Sequence, residues 1–84
     1  MKFMGPWIIG VSAYSIAYRL CLPSMENWNI VYSIDDASYY LLNRFNGKGW
    51  KTLDEAKSQI DEWMRSGGYV DISQDRFDRL SLLA

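Results

Sequence analysis

One stretch of the chain admits a single reading. From Thr52 to Gly68 the apolar residues Leu53, Ala56, Ile60, Trp63 and Met64 recur at helical spacing and fall on one face. Thr52 followed three places later by Glu55 is a capping box, in which hydroxyl and carboxylate each take an orphan amide at the helix start. Gly67 or Gly68 supplies a left-handed stop, and Arg65 lies near the carbonyl end, where positive charge is favoured. An amphipathic helix over residues 53–66 must bury its stripe against another element. The remainder of the 84 residues has to supply that element.

Strand patterns dominate the rest. Trp28, Ile30, Tyr32 and Ile34 alternate with Asn29, Val31 and Ser33, as in a half-buried strand. Asp35 to Ser38 is turn material, and Tyr39 to Phe45 before Asn46-Gly47 reads as the returning strand of a hairpin; a helix capped by Asp36 is the alternative. Residues 3 to 18 carry no charge, but they are too few and too diluted by glycine and serine to span a membrane, and they read as a packed apolar segment, strand or helix. Tyr69 to Ile72 suits a short strand. Residues 73–84 suit either a short helix capped by Ser73, with Phe77 and Leu80 inward, or a strand. The expected fold is α+β, one compact domain over 1–84. A small antiparallel sheet of about three to four strands packs on the helix 53–66, with a possible short C-terminal element.

Composition removes most catalytic chemistry. There is no histidine and one cysteine, Cys21, so the commonest general base, the usual zinc ligand sets and any internal disulfide are missing. A small domain without disulfides suits a reducing cytoplasm. Cys21 among apolar neighbours reads as a small buried hydrophobe, and the adjacent Asp35 and Asp36, which could hold magnesium with Glu26, read as turn formers. Neither an enzyme nor a metal or other cofactor is expected. The net charge of −1 argues against a polycationic nucleic-acid binder. Rings make up 15% of the chain, more than a core this small easily hides, so some are expected at the surface.

The segment from Arg44 to Lys51 is the one that interleaves cations with rings in a glycine-loosened loop. Arg44, Phe45, Lys48, Trp50 and Lys51, with Tyr39 on the preceding strand, are the candidate partner-binding residues. Such a loop can anchor a protein partner through its rings and arginine, or hold single-stranded nucleic acid by stacking and phosphate contacts. It can also be a plain turn, with Trp50 packed under the helix. A phosphate-cradling loop does not fit, since Trp50 stands where glycine must precede the lysine and Asp54 and Glu55 occupy the helix start.

The helix opening Thr52-Leu53-Asp54-Glu55-Ala56 is similar to that of HicB-type antitoxin domains, but the Pro-Asp-Leu-Pro-Gly stretch of that family and its DNA-binding tail are absent. In size, aromatic richness and the order of elements over residues 28 to 68, the chain resembles small phage-encoded accessory proteins, among them anti-CRISPR and other anti-defence inhibitors. That resemblance implies a non-enzymatic inhibitor in the host cytoplasm that blocks a functional surface of a larger protein or ribonucleoprotein complex. The group shares no motif, so it assigns no residues.

Overall fold

The computed structural model describes residues 1–10, 15–42 and 49–83. Its elements are β1 (Lys2–Met4), β2 (Ile8–Ile9), β3 (Ser15–Leu22), β4 (Asn27–Ser33), β5 (Ser38–Leu41), α1 (Leu53–Ser66), β6 (Tyr69–Asp71) and α2 (Gln74–Ser81). The strands form one curled sheet in the order β5-β4-β3-β1-β6, with β2 beside β1 along β3. Among the described residues the pairings are antiparallel except β1 with β6, which is parallel. The α+β class is as the sequence implies. The expected antiparallel sheet of about three to four strands on one helix is too simple, because the uncharged N-terminal run makes two short strands and part of a third.

The two helices cover opposite faces. On one side Ala56, Ile60 and Met64 of α1 meet Met4, Cys21, Ile30, Leu41 and Trp50. On the other, Phe77 of α2 meets Leu22 and Ile72, with Phe3, Leu20 and Leu80 around it. The N-cap residues are those the sequence indicates, with Thr52 Oγ1 accepting from Glu55 N at 3.1 Å and Ser73 Oγ from Arg76 N at 3.2 Å, but the Glu55 carboxylate does not complete the expected box. Each hydroxyl serves an amide that the helix start would otherwise leave unpaired. Gly68 turns the chain from α1 into β6 at φ +93°, a conformation that costs glycine little. Gly10 sits where a Cβ would lie 1.7 Å from the Ser15 carbonyl oxygen, so no other residue fits that approach.

Two expectations about facing are corrected. Ile34 lies just past the end of β4 and is 86% exposed, because the strand ends at Ser33 and the turn carries the next side chain away from the sheet. Trp63 is 39% exposed rather than core, for a reason taken up below.

A break in the N-terminal strand organises one end of the sheet. Met4 pairs with Cys21 and Gly5 N donates to Leu20 O at 3.0 Å, but the ladder resumes only at Ile8 opposite Tyr18. Pro6 and Trp7 thus stand against the single residue Arg19, a bulge that proline favours because it offers no ladder amide. Arg19 is 4% exposed, and its Nε donates to the Gly5 carbonyl at the break, 2.8 Å away. Its Nη1 donates to Asp61 Oδ1 of α1 and its Nη2 to Asp71 Oδ1 of β6 at 3.1 Å. Trp7 places its ring 5.1 Å from the guanidinium carbon and donates its indole N–H to the same Asp61 oxygen at 2.8 Å. Asp71 Oδ2 accepts from Arg65 Nε at 2.8 Å. The Arg65 guanidinium, helped by Arg19, holds the Asp71 carboxyl below its ordinary value of 3.8.

Two measurements check this account. Ile60→Ala empties the centre of the α1 face and should cost about 2–5 kcal/mol in urea denaturation; a loss below about 0.5 kcal/mol would place that stripe at the surface. A carboxyl with a lowered folded pKa lends stability that is complete above its ordinary value and lost as pH falls through the lowered one. The melting temperature should therefore fall as pH drops below 3.8, and less steeply in Asp71→Asn, which should also melt lower at neutral pH. Parallel melting curves for the two proteins would show that Asp71 carries none of this dependence.

Candidate functional site

The hairpin β4–β5 and the start of α1 bring rings together along one border of the molecule. Opposite residues of an antiparallel pair share a face, so Tyr32 and Tyr39 meet, with ring centroids 4.9 Å apart. Tyr39 exchanges both backbone hydrogen bonds with Trp50, at 2.7 and 2.9 Å, which fastens the segment entering α1 to the outer edge of β5. Trp50 then lies 5.7 Å from Trp63 across the helix flank. The result is a strip of two ring pairs, Tyr32-Tyr39 and Trp50-Trp63, joined through the Tyr39–Trp50 backbone bridge. Its ends are open, with Tyr32 36% and Trp63 39% exposed, while Trp50 in the middle is 6% exposed.

Trp63 escapes burial because of its angle on the helix. At 100° per residue it stands at the margin of the stripe formed by Ala56, Ile60 and Met64, beside the row Glu55, Gln59 and Glu62. Between that row and the segment Gly49-Trp50-Lys51 runs an open groove of about 440 Å³. One wall is helical and carries two carboxylates and an amide. The other is extended and carries Lys51.

The candidate residues fall into two groups. Tyr39, Trp50 and Lys51 are brought to this border together; Arg44, Phe45 and Lys48 lie outside the described residues. Trp50 is the packed ring of the turn reading, so it shapes the groove from below. Sequence reasoning missed Trp63, Glu55, Gln59 and Glu62. The signal available was the position of Trp63 at the edge of the apolar stripe, where a ring is shared between core and surface.

Other groups are arranged for structure. Glu26 precedes β4 and Asp35 and Asp36 follow it, so these carboxylates stand at opposite ends of a strand about 20 Å long and do not converge. Asp36 accepts from the Tyr40 hydroxyl at 3.0 Å, and that hydrogen bond raises the phenol's pKa. Cys21 is fully buried. Among the described residues no group of three or more cysteine, aspartate or glutamate side chains is placed to hold a metal ion, and no helix is long and apolar enough to cross a membrane. Comparison of the chain with protein-family models, with curated proteins and with solved structures finds no match.

The two tryptophans should separate in denaturation experiments. Trp50→Ala removes a buried ring and should cost about 3–5 kcal/mol. Trp63→Ala should cost less, about 1–3 kcal/mol, since the residue is 39% exposed and its partial burial and ring–ring contact are what is lost. Equal losses at the two positions would contradict the different roles assigned to them.

Proposed function

We propose that this chain is a non-enzymatic protein-binding module that occupies a functional surface of a larger protein complex, in the manner its resemblance to phage-encoded inhibitors implies. The observation that supports it best is the aromatic strip ending at the groove beside α1. Binding surfaces are anchored by a few rigid aromatic and cationic groups set among polar ones. Here two half-exposed rings flank a buried one, and Lys51 and the carboxylates of α1 form a polar surround. The strip rests on backbone hydrogen bonds to β5 and on the core of α1, so little conformational freedom is lost when a partner covers it.

Affinity capture with the whole chain tests the proposal. Wild-type protein should retain a protein partner from host lysate, identified by mass, and Trp63→Ala combined with Lys51→Glu should lose it while keeping native helix content. Association through rings should depend only mildly on salt, whereas phosphate contacts make binding fall steeply as salt rises. Recovery of nucleic acid alone with a steep salt dependence, or no difference between wild type and variant, would overturn the assignment.

A further inference from the structure

Helix α2 turns Phe77 inward, and its opposite side carries Asp75, Arg79 and Leu82, which follow one another at i, i+4 and i+7 and form one exposed row. Leu82, the C-cap, keeps helical backbone angles, so the row runs past the last turn. The other charges of the helix are engaged. Arg76 lies 5.5 Å from the centre of the Phe3 ring, and Asp78 accepts from Gln74 Nε2 at 2.9 Å. Asp75 and Arg79 stand one turn apart, yet among the described residues neither has an ion-pair or hydrogen-bond partner for its side chain.

A row with an acid followed one turn later by a base is complementary to itself when reversed. In an antiparallel second copy, related by a two-fold axis at the level of Phe77, Asp75 of each chain faces Arg79 of the other, and the two helix dipoles also oppose favourably. A parallel pair would bring like charges together. The antiparallel alignment also carries Leu82, 85% exposed, to the level of residue 72 in the second copy, next to Val70, which is 44% exposed. Val70 belongs to that side of the sheet, because it stands opposite Phe3 and alternates with Tyr69, whose ring packs on the α1 core.

We infer that α2 is a self-association surface, through which two copies pair by reciprocal Asp75–Arg79 ion pairs flanked by Leu82 against Val70. Eight residues make a helix about 12 Å long, which covers far less than the about 800 Å² per partner of a standard interface, so the pairing is weak and reversible. Since α1 lies on the other face of the sheet, both ring-bearing borders stay uncovered in the pair. The dimer is then bivalent for whatever that border binds; this consequence rests on the proposed function, and the pairing does not.

Sedimentation velocity of the whole chain tests it. Wild type should show a monomer–dimer equilibrium with a dissociation constant between about 10 µM and 1 mM. Asp75→Arg or Arg79→Asp alone should weaken it about tenfold, and Leu82→Ser should weaken it too, all with native helix content by circular dichroism. Each charge also suits its own end of the helix, so the decisive arm is an equimolar mixture of the two charge variants, whose rows are again opposite in sign and should pair at least as well as wild type. Trp63→Ala with Lys51→Glu should leave the equilibrium unchanged, which separates failure of the border from failure of the pairing. A single monomeric species at about 1 mM, an unaltered dimer in both charge variants, or a mixture no tighter than either variant alone would overturn the inference.

Discussion

A buried guanidinium joins the parts of this molecule that the sequence keeps far apart. Removing Arg19 from water costs several kcal/mol, and that cost is offset only by well-placed hydrogen bonds and opposite charge. Each of its three nitrogens has such a partner: a carbonyl at a strand break, a carboxylate on the helix and another on an edge strand. The partners lie just past β1, on α1 and on β6, so one side chain of β3 ties together elements that pairing and core packing also hold. A hydrophobic contact could hold these elements together; a fork of directed hydrogen bonds also fixes how they are rotated.

The same arrangement explains which parts of the fold were legible in the sequence. Helix α1 was legible because its cap, stripe and stop all lie within one local run, and the hairpin β4–β5 because alternation and turn residues are local too. The N-terminal strands were not. Their bulge at Pro6 and Trp7 matters only opposite Arg19, whose partners Asp61 and Asp71 are 42 and 52 residues away. A lone arginine after an uncharged run reads as the point where the chain returns to solvent, and no local rule marks it as buried. Helix α2 is intermediate: Ser73, Phe77 and Leu80 fit a helix, but eight residues are too few for periodicity alone to exclude a strand.

The candidate site divides in a similar way. Tyr39, Trp50 and Lys51 are close in sequence to a loop rich in rings and cations, so composition points to them. The helix wall of the groove is invisible until the Tyr39–Trp50 bridge fixes where the loop meets α1. Trp63 shows why a stripe is not a burial map. Helical spacing says which residues share a side, but the curvature of the sheet decides how wide a side is covered.

The parallel pairing of β1 with β6 has a consequence for how the chain acquires its structure. Lys2, Phe3 and Met4 lie beside Tyr69, Val70 and Asp71, so β1 completes its pairing only after a segment 67 residues further along the chain has been made. Until then β1 can lean on β3 alone, with its other row of amides and carbonyls open to any passing strand. The contact that closes this edge is also the most non-local in the sheet, and loop closure of that span slows its formation. The sheet therefore closes on the pairing whose two strands are made furthest apart, and the interval before that closure is when β1 is most open to mispairing.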